Sequence, residues 1–230
     1  MPANLLSASD DTEYVAVVAD IEAKAAAGYA PTIVDPYGRL LSYQLLLGPD
    51  GGVATYLSSL TTLSNFTSHN VPYPIITTTV VNGSHGQCYP TLNATIFEFH
   101  PYEYGAWDGG ISAFALTQYM GSNLTDGQPT HGTCTIHYDN LGYVFGTSSD
   151  VFNAACDVIA AANSSTSAIT NVLEGIVSAA HTPAFDDLFG IYPNPFYKYP
   201  RSTSVQNDAL LTLVDGGESD QVRTKTRTSE

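Results

Sequence analysis

Basic side chains are scarce in this sequence. Seven Lys and Arg stand against 22 Asp and Glu, a formal charge of −15 over 230 residues. Arg223, Lys225 and Arg227 crowd into the C-terminal end, so residues 1 to 222 hold only Lys24, Arg39, Lys198 and Arg201 against 21 carboxylates. Such a surface repels phosphodiester backbones and anionic headgroups. It excludes nucleic acid as a partner and a polybasic membrane anchor, and leaves zwitterionic or neutral ligands open.

Cysteine is scarce too. Cys88, Cys134 and Cys156 are an odd number, so at most one disulfide forms among them and a thiol is left over unless a further cysteine lies outside this chain. No run reaches the roughly 20 apolar residues of a membrane span. The opening "MPANLLSASDDTEY" has neither a basic start nor an apolar stretch, so these residues contain no signal peptide. Also absent is a Gly-x-Ser-x-Gly turn, the usual seat of a serine nucleophile. The nearest stretches are "NGSHG" at 82–86 and "GTSSD" at 146–150, where Asn82 and Asp150 replace a required glycine. Ser148 and Ser149 then read either as residues exposed at a strand-to-helix turn or as helix caps.

The chain does have the composition of a folded protein, 43% apolar and 11% aromatic with 13% charged. Helical spacing of Tyr14, Val17, Val18, Ile21 and Ala25 predicts an amphipathic helix over 12–27, and "SAITNVLEGIVSAAH" predicts another over 167–181. "VFNAACDVIAAA" reads as a shorter buried helix. Strands are expected at 74–81, 94–99, 142–146 ("GYVFG") and 209–214, all β-branched or aromatic and bounded by turn formers. Loops are expected at 48–53, 82–90 and 121–134. The mixture predicts an α/β fold. No internal repeat or domain boundary emerges, and residues 223–230 read as a basic, disordered tail.

Asp215 draws attention because an apolar run, "LLTLV", ends on it and Gly216 and Gly217 follow. It reads either as a turn-initiating Asp with glycines supplying positive φ, or as a carboxylate held at the carboxyl end of a strand, where α/β sheets place their sites. His131, Cys134 and His137 are too few and too unlike the paired motifs of a zinc site to predict a metal. His69, His85, His100 and His181 have no spacing that selects a base. Arg39 reads as an ion-pair partner of a neighbour such as Asp35, with phosphate binding the alternative. Five Asn-x-Ser/Thr sequons, at Asn65, Asn82, Asn93, Asn123 and Asn163, suit a secreted glycoprotein.

Several stretches together resemble a known family. "FEFHPYEYGAWD" (97–108), "MGSNLTDG" (120–127), "YDNLGYVFGTSSDVFN" (138–153), "PNPFYKY" (193–199) and "LTLVDGGE" (211–218) are similar, in this order, to landmarks of fungal lysophospholipase, also called phospholipase B. "GYAPTIVDPYGRLLSYQLL" (28–46) is similar to the segment before them. The family shares its catalytic domain with the cytosolic phospholipases. This resemblance implies that residues 1–222 are part of a mixed-sheet, helix-flanked α/β catalytic domain acting by a Ser–Asp dyad on acyl esters of lysophospholipid or phospholipid, without metal or organic cofactor. It places the Asp of the dyad at Asp215, beside Gly216 and Gly217, and implies a secreted or cell-surface protein. The family's Gly-x-Ser-Gly-Gly nucleophile turn, its arginine and its oxyanion glycines have no counterpart in these residues. A chain of these residues alone is therefore expected to be inactive or nearly so, and prone to aggregate. The alternative is a catalytically inactive family fragment or a secreted lipid-binding glycoprotein.

Overall fold

A computed structural model describes residues 11–81, 87–107, 110–130, 134–150, 152–155 and 188–218. Its centre is a six-stranded sheet in the order β4-β3-β2-β1-β8-β7. The strands are β1 (Ile76–Val81), β2 (Ile96–Phe99), β3 (Glu103–Ala106), β4 (Ala113–Leu116), β7 (Gly190–Pro193) and β8 (Leu210–Asp215). Every pairing among them is antiparallel. A separate two-stranded hairpin, β5 (Leu124–Thr125) with β6 (Gln128–Pro129), turns through Asp126 and Gly127, both at positive φ. That Asp-Gly pair is the usual chemistry of a two-residue hairpin turn, and it gives order to a stretch expected as plain loop.

Helices α1 (Asp11–Ala26), α2 (Val34–Leu45), the single-turn α3 (Ser64–Thr67) and α4 (Leu141–Ser148) complete the described α/β architecture. α4 lies against one face of the sheet with α2 packed on it, and the core forms on that side. Phe97, Phe99, Tyr104, Leu211 and Leu213 meet Val34, Leu141, Tyr143 and Val144 there, all buried. Each fully buried side chain of this size contributes roughly 1.5–3 kcal/mol relative to exposure. Across the sheet, Val81, Val214, Leu188, Phe189 and Cys88 form a smaller apolar cluster.

One expected strand is a helix. "GYVFG" at 142–146 lies inside α4, whose first turn is capped by the Asn140 side chain accepting from Tyr143 N–H at 2.9 Å. A short apolar run rich in aromatic residues does not distinguish a strand from a buried helix, and the contact with α2 decides it. Gly142 and Gly146, four residues apart and so on one helix face, press on Gly38 of α2. A Cβ on Gly38 would come within 2.4 Å of the Gly142 carbonyl oxygen. Backbone-to-backbone approach of this kind needs glycine on both sides.

The expected helix over 12–27 and the strands at 74–81, 94–99 and 209–214 are present with ends shifted by one or two residues. The helix expected over 167–181, most of "VFNAACDVIAAA" and the tail at 223–230 lie outside the described residues. No described helix is long and apolar enough to cross a membrane.

Candidate active site

β8 is a central strand, flanked by β1 and β7, and Asp215 is its last residue. Leu211, Leu213 and Val214 anchor the strand in the two apolar clusters, which fixes where the terminal carboxylate projects. Across the β1–β8 pair Asp215 stands directly opposite Thr78. Side chains of directly paired residues share a face, so the carboxylate lies on the side of the sheet that α4 covers.

Asp215 is half-buried, and its Oδ1 accepts a hydrogen bond from Gly217 N–H at 2.6 Å. The chain continues as a single 3-10 turn, Gly216–Glu218. Neither glycine has positive φ, which corrects the expectation that they supply it. They serve space instead: a Cβ on Gly217 would sit 3.3 Å from Asp215 Oδ1 and crowd the carboxylate. Oδ2 of Asp215 forms no hydrogen bond among the described residues. A half-exposed carboxylate with one oxygen held by a backbone N–H and the other free can accept a proton from a hydroxyl placed beside it.

Four polar groups that sequence reasoning did not assign lie around this end of the strand. Asp150, just beyond α4, is fully buried, its Oδ1 accepting from Phe152 N–H at 2.9 Å and its Oδ2 without a hydrogen-bond partner among the described residues. Burial, reinforced by Glu218 and Asp215, pushes its carboxyl well above the ordinary range against the lowering effect of that hydrogen bond. Asn153, also buried, donates to Glu218 Oε2 at 2.5 Å and to the Cys88 carbonyl at 3.2 Å. Glu218 is raised by desolvation and by Asp215, and lowered by the Asn153 bond. Thr78 Oγ1 is buried without a hydrogen-bond partner among the described residues. Asp150 and Asn153 lie in "GTSSDVFN", a stretch that reads as a family landmark and a failed nucleophile turn without assigning either residue a role.

The serine decoy is settled locally. Ser148 is the last residue of α4 and Ser149 its C-cap, with Ser149 Oγ donating to Phe145 O at 2.8 Å. The turn therefore follows a helix and not a strand, which corrects the strand-to-helix reading. Arg39 is occupied as well. Its Nε donates to Asp20 at 2.8 Å and its Nη1 to Asp35 at 2.6 Å, while Lys24 Nζ reaches both Asp35 oxygens at 2.9 and 2.8 Å. This buried network ties α1 to α2, with Lys24 3.7 Å from the Tyr143 ring centre. His137 stacks on Tyr56, Cys134 is a free exposed thiol, and Cys88 is disulfide-bonded. His100 Nε2 lies 3.0 Å from Glu98 Oε2. His85, His131, His181 and Cys156 lie outside the described residues, as do sequons Asn82 and Asn163. Asn65, Asn93 and Asn123 are all exposed.

Comparison with known proteins places this arrangement in context. Residues 1–223 match the family model for the lysophospholipase catalytic domain. Lysophospholipase 1 of Candida albicans is 38% identical over 218 residues, covering 91% of this chain and 34% of that protein. A lysophospholipase of Arthroderma benhamiae is 38% identical over 211 residues, covering 90% and 32%. The chain thus spans about one third of the length of these relatives. Human GIVD cytosolic phospholipase A2 shares the fold at a TM-score of 0.56 and 16% identity, over 92% of this chain and 32% of that one.

Proposed function

Since this chain belongs to the lysophospholipase catalytic-domain family, we propose that residues 1–222 form the part of a phospholipase B-type ester hydrolase that supplies the Asp of a Ser–Asp dyad. The observation that carries the reading is Asp215 itself. It ends a central strand, is half-exposed, and has one carboxylate oxygen fixed by Gly217 N–H and the other without a hydrogen bond among the described residues.

In this reading a serine hydroxyl carried on a Gly-x-Ser-Gly-Gly turn, which these 230 residues do not contain, delivers its proton to Asp215 as it attacks the acyl carbonyl of a lysophospholipid or phospholipid. Asp215 is suited to that role because it accepts one hydrogen bond from the backbone and keeps its second oxygen for the hydroxyl. Burial raises the Asp150 carboxyl well above the ordinary range, which disfavours a second negative charge beside Asp215. Because the Gly-x-Ser-Gly-Gly turn is not among these residues, the reading expects no acyl transfer from them alone. Secretion and glycosylation at Asn65, Asn93 and Asn123 fit the same reading.

The test combines this chain with a segment bearing the Gly-x-Ser-Gly-Gly turn and measures fatty-acid release from lysophosphatidylcholine, with fluorophosphonate labelling alongside. Hydrolysis that needs both parts and is lost in Asp215→Asn supports the reading. Labelling of the 230-residue chain alone, or undiminished turnover in Asp215→Asn, refutes it.

A further inference from the structure

The N–H that fixes Asp215 sits in a turn that is itself tied down from a distant segment. Gly217 N–H, donating to Asp215 Oδ1 at 2.6 Å, is the middle of the Gly216–Glu218 turn. Gly217 and Glu218 are exposed, so packing alone does not set where that N–H points. A side-chain bond holds the far end of the turn instead. Asn153 Nδ2 donates to Glu218 Oε2 at 2.5 Å and, from the same nitrogen, to the Cys88 carbonyl at 3.2 Å. Both donors of the amide are thereby used.

Both ends of this connection rest on one piece of core. Cys88 is disulfide-bonded and packs with Val81, Val214, Leu188 and Phe189. Val214 is the residue before Asp215, and Phe152, the residue before Asn153, packs against the same cluster. The chain therefore leaves the cluster through Val214 and returns to it through Glu218, Asn153 and Cys88. A loop closed in this way restrains Gly217 N–H from swinging off Oδ1.

Two further observations single out the bond. Asn153 is fully buried, yet its Oδ1 has no hydrogen-bond partner among the described residues. Burying an amide with an unpaired oxygen is unfavourable, so what the position gains from Asn is its donor nitrogen. Charge works against the arrangement as well. Burial raises the Glu218 carboxyl, the Asn153 bond opposes that rise, and Asp215 adds to it. Like charge favours Glu218 turning away, and the Asn153 bond keeps it in place.

We propose that Asn153 and Glu218 are positioning residues for ester hydrolysis: their bond clamps the Gly216–Glu218 turn so that Gly217 N–H fixes Asp215 Oδ1 and leaves Oδ2 for the hydroxyl. The proposal rests on the reading of Asp215 as the base of the dyad. It adds that the orientation of the base is built by a residue 65 positions before Glu218, just beyond α4.

Amide exchange, read by NMR on the isotope-labelled full chain, tests the clamp without a nucleophile. In Glu218→Ala, Gly217 N–H should exchange about tenfold faster than in the parent, while the amides of β1 and β8 keep their protection. Asn153→Leu should do the same; Glu218 is exposed, so its variant serves if the Asn153 variant fails to fold. Glu218→Gln keeps an acceptor for Asn153 and should exchange as the parent does. In the assembly with a segment bearing the Gly-x-Ser-Gly-Gly turn, Glu218→Ala should lower kcat on lysophosphatidylcholine about tenfold to a hundredfold. KM should stay within about twofold, and Glu218→Gln should restore most of kcat. Unchanged Gly217 exchange in Glu218→Ala, or faster exchange spread over β1 and β8, would overturn the clamp. So would an unchanged kcat, or a Glu218→Gln variant as impaired as Glu218→Ala, because charge and not the bond would then matter. Asp215→Asn in the same assembly tests the dyad reading separately. Undiminished turnover there removes Asp215 as the base, and Gly217 exchange alone then decides the clamp.

Discussion

Thr78 and Asp215 face each other across the β1–β8 pair, on the side of the sheet that α4 covers. Behind them lies the buried acid Asp150, and beside them the Gly216–Glu218 turn. A carboxylate is thereby exposed on one side and backed by protein on the other.

Replacing Asp215 with Asn separates chemistry from folding. The amide oxygen still accepts Gly217 N–H, so stability should change by less than about 1 kcal/mol. In an assembled enzyme, turnover should fall by about four orders of magnitude or more. Urea unfolding of the chain and fatty-acid release by the assembly check the two halves of the statement.

Asp150 should leave a signature in the pH dependence of stability. Its carboxyl is raised in the folded state, so the folded chain holds this proton where the unfolded chain has released it. Above the ordinary carboxylate pKa of about 4, stability from this group falls as pH rises toward its folded value. Asp150→Asn should flatten that slope and stabilise the chain at neutral pH relative to the parent. Urea unfolding at stepped pH for both proteins measures the difference. A parent and variant with parallel profiles would mean Asp150 is ionised in the fold.

The buried charge network of α1 and α2 predicts an asymmetry between its two cations. Arg39 bridges Asp20 and Asp35 at once, and its removal leaves two carboxylates without that partner in a buried site. Arg39→Ala should cost about 3–5 kcal/mol, and Arg39→Lys should recover little because an ammonium does not span both. Lys24 has its pKa lowered to about 8, chiefly by burial, with Asp35 opposing. Between that value and the ordinary 10.5 the folded chain has lost a proton that the unfolded chain keeps, so the Lys24 contribution to stability rises with pH there. Lys24→Met should remove the rise.

The α2–α4 contact tolerates no side chain. Gly38→Ala or Gly142→Ala places a Cβ against backbone oxygen at 2.4 or 2.6 Å, where neither helix can yield locally. A loss of about 1–3 kcal/mol is expected, and more for Val. Gly127→Ala in the β5–β6 turn has open space but positive φ, so it should cost about 1 kcal/mol by strain alone. Thermal or urea unfolding of the three variants ranks them.

Glycosylation is tested by secretion from a eukaryotic host. Asn65, Asn93 and Asn123 are exposed, so glycosidase treatment should lower the mass, and each Asn→Gln change should remove one step of that shift.

Much was legible in the residues because it rested on local pattern. Val17 and Ile21 at helical spacing marked α1, β-branched runs marked β1 and β8, and the apolar run ending at Asp215 marked the end of a central strand. Family landmarks, read from order and spelling, pointed to the same carboxylate. These are properties of short windows, and a short window contains them whole.

What the tertiary structure decided concerns partners distant in the chain. "GYVFG" has the composition of a strand, and it became helix α4 because Gly142 and Gly146 meet Gly38, about a hundred residues earlier. Asp150 is spelled like any polar residue after a serine pair, yet burial near the β8 end raises its carboxyl well above the ordinary range. Tyr102 and Trp107 lie in one aromatic-rich stretch, and Tyr73, some thirty residues earlier, joins their ring contacts only in the fold. Hydrophobic pattern determines which side chains avoid water; which of them meet is set by the register of the sheet and by the close approach that glycine permits.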